Sequence, residues 1–222
     1  MFQKVLIAED LDSINLAIDY VVKELGIVEI HHVKYCDDAL PKIKRAVLDG
    51  NPFDLVLTDL SFQEDGRKVT LCSGEELITA IRNLQPEIPV IVYSVEDKNY
   101  RIKSLFEVQK INGFVLKDRN SILQLKTAIQ TVFDTDTIFL SPEMKHILLD
   151  KTIDQIDETD IQIIKHLSEG VLMEEMAAVF KQKSISPSSK SAIEKRIGKL
   201  KIMFGANNIV HLIALTKDLG II

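Results

Sequence analysis

Five side chains that could handle a phosphoryl group stand at the ends of short apolar runs. Glu9 and Asp10 follow KVLIA, and Asp59 ends FDLVLTD. Ser94 ends PVIVYS, and Lys117 ends GFVLK. Three carboxylates held close together repel one another unless a cation neutralises them, and oxygen ligands with room for water suit Mg²⁺. One carboxylate could then attack phosphorus as a nucleophile, while the lysine and the hydroxyl bind phosphoryl oxygens.

The elements that must position these side chains alternate along residues 1–134. Apolar runs indicate strands and amphipathic stretches indicate helices. The predicted strands are 4–8, 27–33, 53–59, 89–94 and 113–117. The predicted helices are 12–25, 37–48, 73–84, 98–111 and 120–133. Ser73 and Glu76 have the spacing of a capping box at the start of the third helix.

This alternation predicts an α/β fold with a doubly wound, five-stranded parallel sheet of the flavodoxin-like kind. Nearly continuous apolar strands are typical of a parallel sheet covered on both faces, and its crossovers are right-handed. Functional residues of such sheets lie at the carboxyl ends of the strands. If the first and third strands are neighbours, Glu9, Asp10 and Asp59 meet at one corner.

The rest of the chain has a different pattern. Residues 135–156 are predicted to be a linker that contains one short helix, with Ser141 as its N-cap and Pro142 at its first position. Residues 157–222 have helical periodicity, and the predicted helices are 158–168 (capped by Asp157), 171–180, 191–204 and 208–219. Four short helices with tight joints are typical of a small helix-turn-helix domain.

Composition places the chain among folded proteins of a reducing compartment. It has 222 residues, of which 46% are hydrophobic and 27% charged, so a sizeable core can form. Cys36 and Cys72 have no metal-ligand spacing. No run approaches the ~18 apolar residues that span a bilayer, and the apolar stretch near the N-terminus is too short for a signal peptide. We therefore expect a cytoplasmic protein with no membrane partner.

One basic segment stands out in a chain whose net charge is −6. Residues 181–201 contain seven lysines and arginines but only one acid, Glu194. A helix can enter the major groove of double-stranded DNA, where lysine and arginine neutralise phosphates and small hydroxyls bond to them. We expect DNA contacts from Ser188, Ser189, Lys190, Glu194, Lys195, Arg196, Lys199 and Lys201.

The acidic residues, the hydroxyl and the lysine together resemble the receiver domain of two-component response regulators, over residues 1–134. The resemblance implies that Glu9, Asp10 and Asp59 bind Mg²⁺ and that Asp59 accepts a phosphoryl group from a sensor histidine kinase. It further implies that Ser94 and Lys117 sense the phosphoryl group. Phe114, three residues before the lysine, would be the switch aromatic. Such a domain is a regulatory phosphoacceptor and not an enzyme with a separate substrate.

Residues 155–222 resemble the LuxR/NarL-type helix-turn-helix output domain, more loosely than the receiver match. LSPE in the linker and the ending FGANNIVHLIALTKDLGII carry this resemblance. It implies that the protein regulates transcription by binding double-stranded DNA as a homodimer when phosphorylated. Glu194 stands where the family usually has a basic residue, which bears on base preference.

Two features depart from the receiver pattern. The segment SFQEDGRKVTLCSG after Asp59 is longer than usual and lacks a Pro-Gly pair. It is either a solvated insertion or, with Gly66, Arg67 and Lys68, a flap over the site. Val95 is bulkier than the alanine or glycine usual in the family. These departures keep open the alternative of a phosphorylation-independent DNA-binding regulator. A second alternative is a protein-interaction adaptor on the same fold, whose basic helix binds an acidic partner.

Overall fold

The structure is a computed structural model that describes residues 1–63, 65–135, 137–149 and 155–222. Part of the predicted linker, residues 136 and 150–154, lies outside the described residues. The chain forms two compact units. One unit comprises Met1–Asp97 and Ser104–Lys145, and the other comprises Lys98–Lys103 and His146–Ile222.

The first unit is built on a parallel sheet, as the apolar runs predict. Its described strands are β1 (Lys4–Ala8), β2 (Glu29–Val33), β3 (Leu55–Thr58), β4 (Val90–Ser94), β5 (Gly113–Leu116) and β6 (Phe139–Leu140). The strand order is β2-β1-β3-β4-β5-β6, and each neighbouring pair is parallel. The doubly wound fold and the adjacency of β1 and β3 are confirmed.

The sixth strand corrects the prediction of a five-stranded sheet. β6 lies in the predicted linker and is two residues long. The Phe139 N–H donates to the Asn112 carbonyl at 2.9 Å, and the Ser141 N–H donates to the Phe114 carbonyl at 3.0 Å. A strand this short has no alternation of apolar and polar residues that a sequence pattern could reveal.

Five helices of this part of the chain lie close to their predicted positions. They are α1 (Asp12–Glu24), α2 (Cys36–Leu48), α3 (Gly74–Arg82), α4 (Asn99–Glu107) and α5 (Ser121–Asp134). The capping box predicted for α3 is only half formed. The Ser73 hydroxyl accepts the Glu76 N–H at 3.3 Å, but the Glu76 carboxylate accepts the N–H of Cys72. Ser73 also pairs with Ser61 in an isolated antiparallel bridge, which fixes its backbone away from the carboxylate.

The sheet of the first unit is buried on both faces. Val5, Leu6, Ile7 and Ala8 along β1 are all fully buried, although successive side chains point to opposite faces. Val5 and Ile7 belong to one core cluster with apolar residues of α1 and α5. The strands are therefore held firmly, and their carboxyl ends present side chains from fixed positions.

The predicted helix of the linker is a 3-10 helix, Pro142–Leu149. Ser141 precedes it, but its side chain does not act as the predicted cap. The hydroxyl accepts the Leu116 N–H at 2.9 Å and donates to the Gln124 side chain. Pairing of β6 with β5 buries Ser141 completely, which directs its hydroxyl into the first unit.

The second unit contains the helices α6 (Glu158–Ser168), α7 (Met173–Gln182), α8 (Lys190–Met203) and α9 (Ile209–Asp218). Asp157 caps α6 as predicted: its carboxylate accepts the Asp160 N–H at 2.9 Å, and the Asp160 carboxylate accepts the Asp157 N–H at 3.2 Å. Apolar residues of all four helices form one core, with Ile163, Phe180 and Ile193 among its members. Among the described helices, none is long and apolar enough to cross a membrane.

Gly74 lets the start of α3 approach the end of β3 closely. A Cβ at this position would lie 1.9 Å from the Asp59 carbonyl oxygen and 2.9 Å from the Leu60 Cα. Since these are backbone atoms, no rotamer change could relieve the overlap. The glycine therefore belongs to the packing that sets the position of Asp59.

We expect Gly74→Ala to lower the free energy of unfolding by at least ~2 kcal/mol, because α3 or β3 has to move. The matched variant Gly198→Ala adds the same methyl group in α8, where a Cβ meets nothing within 4 Å. It should be neutral or stabilising by about 0.5–1 kcal/mol, since alanine is the better helix former. Denaturant unfolding of the full chain measures both changes, and equal effects would contradict the packing role of Gly74.

Candidate phosphoryl-acceptor site

Glu9 and Asp59 are neighbours because β1 pairs with β3. The Asp59 N–H donates to the Ala8 carbonyl at 3.0 Å, and the Glu9 N–H donates to the Val33 carbonyl at 3.0 Å. Backbone pairing thus continues up to both residues, and both are buried. The sheet brings two of the three predicted carboxylates together at its carboxyl edge.

The ammonium group of Lys117 bridges these two carboxylates. Its Nζ donates to Glu9 Oε2 at 2.6 Å and to Asp59 Oδ2 at 2.7 Å. The Lys117, Glu9 and Asp59 side chains are only 8%, 1% and 7% exposed. Hydrogen bonds between ionised groups are the strong ones, so one lysine fixes the orientation of both acids.

Backbone amides hold the other oxygen of each carboxylate. The Leu60 N–H donates to Asp59 Oδ1 at 2.6 Å, and the Leu11 N–H donates to Glu9 Oε1 at 3.1 Å. Side-chain types do not reveal such contacts, and the sequence prediction missed them. Each acid is therefore held between an ammonium group and a main-chain donor.

Burial affects the two charges of the bridge differently. It raises the pKa of Glu9 above its ordinary value, although Lys117 acts in the opposite direction. Burial lowers the pKa of Lys117, but hydrogen bonds to Asp59 and Glu9 outweigh it, and the net pKa is raised. The raised pKa keeps Lys117 as a cation, whereas burial makes the ionised form of Glu9 less favourable.

Asp10 bonds to the loop after β3. Its Oδ2 accepts the Gln63 N–H at 2.7 Å. The sequence prediction places Asp10 with Glu9 and Asp59, and it does not foresee a main-chain partner from position 63. The structure therefore brings Glu9, Asp59 and Lys117 into contact but leaves the Asp10 carboxylate on the loop.

Ser94 supplies an unsatisfied polar group beside these residues. It ends β4, the strand between β3 and β5, and it is completely buried. Among the described residues, no hydrogen-bond partner lies within reach of its hydroxyl. A buried hydroxyl without a partner costs free energy, so we expect a water molecule or a bound ligand to satisfy it. Phe114 in β5 is also fully buried, whereas Val95 is 65% exposed.

The chemistry of the acids fits Mg²⁺. Carboxylate oxygen is the donor type that Mg²⁺ prefers, and one lysine leaves two of three ionised carboxylates without a countercharge. As the described residues now stand, no group of three or more His, Cys, Asp or Glu side chains is placed to hold a metal ion. Lys117 takes one oxygen of Glu9 and one of Asp59, so these two side chains must shift before a cation binds, whereas Asp10 keeps an oxygen that does not bond to Gln63.

Comparison with known proteins identifies the first unit. The family model described as "Response regulator receiver domain" matches residues 5–130. The chain belongs to this receiver family. The predicted resemblance of the N-terminal part is thereby confirmed. A search of curated proteins found no match.

Solved structures of RcsB resemble this chain over nearly its whole length, beyond the receiver domain. The structure of an RcsB–DNA complex has a TM-score of 0.65 and 18% identity, covering 99% of this chain and 100% of that one. RcsB from Salmonella enterica serovar Typhimurium, bound to promoter P1flhDC with the phosphomimetic BeF₃⁻, has a TM-score of 0.60 and 22% identity. It covers 99% of this chain and 100% of its own. The TM-scores show a shared fold, and at identities this low the likeness shows the fold alone.

Some of the residues predicted to contact DNA are exposed to solvent in the second unit. Glu194, Lys195 and Lys199 are exposed on α8, while Ser188 and Lys201 are half-buried. Within the described part of the chain, neither Lys195 nor Lys199 has an ion-pair partner. These two lysines remain available to an external anion.

Other members of the set are already engaged within the second unit. Ser189 caps α8 by accepting the Ala192 N–H at 3.3 Å. Lys190 pairs with Glu174. Arg196 Nε donates to Asp160 Oδ1 at 2.6 Å, and its Nη2 also bonds to Asp157.

Arg196 therefore holds the α6 capping box, a role that its position in a basic helix does not reveal.

Replacing Lys117 by methionine should lower the free energy of unfolding of the receiver by about 3–5 kcal/mol, because two buried carboxylates lose their shared cation. The added change Glu9→Gln should restore part of the loss, since one buried charge then remains. Urea unfolding measures the single and double variants. If the effects of Lys117→Met and Glu9→Gln on the free energy of unfolding are strictly additive, the proposed coupling of Lys117 with Glu9 is contradicted. Lys126→Met is the control, because its partly exposed pair with Glu24 contributes at most ~1 kcal/mol.

Proposed function

We propose that the chain is a two-component response regulator that accepts a phosphoryl group on Asp59 from a sensor histidine kinase. Its C-terminal helical domain would bind double-stranded DNA and regulate transcription. The domain boundaries 1–134, 135–156 and 157–222 for receiver, linker and helix-turn-helix are part of this proposal. The observation that carries the phosphoryl part is the buried Lys117 ammonium on Asp59, close to a Ser94 hydroxyl that lacks a partner.

The side chains have the properties that phosphoryl transfer requires. An oxygen of Asp59 attacks the phosphorus of a phosphohistidine, and the new O–P bond forms while the P–N bond breaks and its electron pair leaves with the imidazole. Lys117 then bonds to a phosphoryl oxygen in place of one carboxylate, and the Ser94 hydroxyl donates to another. Glu9, Asp10 and Asp59 would hold Mg²⁺, which would supply further charge neutralisation at the phosphoryl group.

The same contacts offer a route from phosphorylation to output. A Ser94 that moves onto the phosphoryl group shifts the end of β4, whose residue Val92 pairs with Phe114 in β5. Phe114 fills a fully buried position, so a displacement of its neighbours changes its packing. We assign Phe114 as the switch aromatic. Dimerisation of the phosphorylated receiver would then place two helical domains on a DNA site with two half-sites.

Asp59→Asn should abolish Mg²⁺-dependent binding of beryllofluoride by the full chain, because an amide lacks the anionic oxygen that bonds to beryllium. Isothermal titration calorimetry measures binding with and without Mg²⁺. Val95→Ala is the matched control, since it changes an exposed side chain next to Ser94 and keeps every charged residue of the site. It should bind as wild type does. A wild-type chain that fails to bind beryllofluoride would contradict the proposed site.

The exposed face of α8 has the composition of a DNA-reading surface. Lys195 and Lys199 face solvent beside Gly198, which lies mid-helix and for which the surrounding fold shows no packing need. Ile202, one turn further on, is 84% exposed. A mid-helix glycine costs about 1 kcal/mol relative to alanine, and it allows close approach of an external group. Solved RcsB complexes with DNA, which share this fold, support the same assignment.

Lys195→Ala/Lys199→Ala should weaken DNA binding and reduce the slope of log affinity against log salt by about two, because two phosphate contacts are lost. Arg196→Ala should instead lower the stability of the helical domain, since Asp157 and Asp160 lose their partner. Lys217→Ala in α9 is the exposed control. The DNA comes from selection on a random pool with the full chain, and the affinities from fluorescence anisotropy at several salt concentrations.

Two outcomes of the selection favour the alternatives. Selection of the same DNA with equal affinity, with and without beryllofluoride, would indicate a phosphorylation-independent regulator. Failure to select any sequence in either state would contradict DNA binding and favour an adaptor whose basic helix binds an acidic protein. Selection that strengthens with beryllofluoride is the result expected of the proposed function.

A further inference from the structure

We propose that Arg67, in the long loop 60–73 between β3 and α3, is a positioning residue for Asp10 in the acidic site. The inference rests on the proposed Mg²⁺-dependent phosphorylation of Asp59. Arg67 has no hydrogen bond to Glu9, Asp10 or Asp59 among the described contacts. It acts through the loop backbone.

Arg67 fastens the loop to the start of α2. Its guanidinium group donates to both carboxylate oxygens of Asp38, at 2.8 and 3.3 Å. Its Cζ lies 4.3 Å from the centre of the Tyr35 ring, and the Tyr35 hydroxyl donates to the Asp65 carboxylate. A planar fork that is both paired and stacked has one preferred orientation, which a lysine cannot reproduce.

A second anchor lies next to the first. The Asp37 carboxylate accepts the N–H of Thr70 at 2.7 Å and the N–H of Leu71 at 2.9 Å. Adjacent acids in the first turn of α2 thus bind two different parts of the loop. The bridge between Ser61 and Ser73 closes its ends. The described residues of the loop are therefore bound to the receiver at several points, unlike a free flap.

The held loop presents one main-chain donor to the acidic site. The Gln63 N–H donates to Asp10 Oδ2 at 2.7 Å, and Gln63 lies between the Ser61 bridge and the Arg67 anchor. A short hydrogen bond to an ionised acceptor fixes the acceptor's rotamer. Asp10 is only half-buried, so without this donor its carboxylate is free to turn toward water.

Orientation of Asp10 matters because a carboxylate has lone pairs to spare. One oxygen accepts the Gln63 N–H, and the remaining lone pairs can still bind a cation. Outer partners that orient a metal ligand typically change metal affinity by 10- to 100-fold when they are removed. Loss of the Arg67 anchor should therefore weaken binding of Mg²⁺ by about tenfold.

The charge of Arg67 predicts the opposite result. Removing a positive charge near an acidic site strengthens cation binding by simple electrostatics. Lys68, the next residue, is exposed and carries the same charge, and it has no hydrogen bond or ion pair within the described part of the chain. Lys68→Ala therefore isolates the electrostatic effect, and Arg67→Lys isolates the anchor because it keeps the charge and loses the fork.

The experiment titrates the full-length chain with MgCl₂ in a calorimeter. We expect Arg67→Ala, Arg67→Lys and Asp38→Asn to bind Mg²⁺ more weakly than wild type, and Lys68→Ala to bind equally or slightly more tightly. Hydrogen–deuterium exchange should be faster in peptides of the loop for the first three variants and unchanged for Lys68→Ala. The exchange shows that the anchor has been released without loss of the fold, since core peptides should keep their protection.

A double-variant cycle tests whether the effect passes through Asp10. Arg67→Ala should have no further effect on Mg²⁺ affinity in an Asp10→Ala background. An Arg67→Ala chain with a released loop and wild-type affinity would overturn the inference, as would an equal loss in Lys68→Ala or an undiminished loss in the Asp10→Ala background. A wild-type chain that binds no Mg²⁺ would refute the proposed site itself, and the positioning role with it.

Discussion

The ammonium group of Lys117 lies between two carboxylates that the sheet forces together out of water. Pairing of β1 with β3 places Glu9 beside Asp59, and such a pair of buried charges costs several kcal/mol unless a cation compensates it. Lys117 comes from the end of β5 and spans the end of β4 to reach them. Three strand ends therefore depend on one side chain.

This bridge places stability and reactivity in competition. On the proposed function, a cation or a phosphoryl group needs the oxygens that Lys117 holds, so the contact that stabilises the resting site is one that phosphorylation would have to break. Proteins commonly accept such costs at functional sites. The buried Ser94 hydroxyl also costs free energy, because it has no hydrogen-bond partner among the described residues.

Much of the fold could be predicted from sequence, and so could the places of four candidate site residues at the ends of strands. The strands are short apolar runs, and Glu9, Asp59, Ser94 and Lys117 stand where those runs end. Contacts made by main-chain groups could not be predicted, because every residue carries the same amide. The Gln63 N–H on Asp10 and the backbone of Asp59 against Gly74 are of this kind.

Pairings between distant residues were equally hidden. The sequence predicts Arg196 as a DNA contact because it belongs to a basic helix. Its partners in the structure are Asp160 and Asp157, which lie 36 and 39 positions earlier in the chain. Asp157 and Asp160 form the capping box of α6, and the Arg196 guanidinium group neutralises the charge of both. β6 was missed for another reason: two residues acquire strand geometry only because the edge of β5 offers free backbone groups.

The two ion-pair systems of the receiver differ in their contact with water. Lys117 and its acids are almost completely buried, whereas the Arg67 and Asp38 side chains are 44% and 43% exposed. Salt weakens ion pairs that are exposed to water, with a screening length of about 8 Å at physiological ionic strength, and affects buried pairs far less. Rising ionic strength should therefore weaken the pair of Arg67 with Asp38 more than the contacts of Lys117. The hold of the loop on the acidic corner is thus the part of the site that is sensitive to dissolved salt.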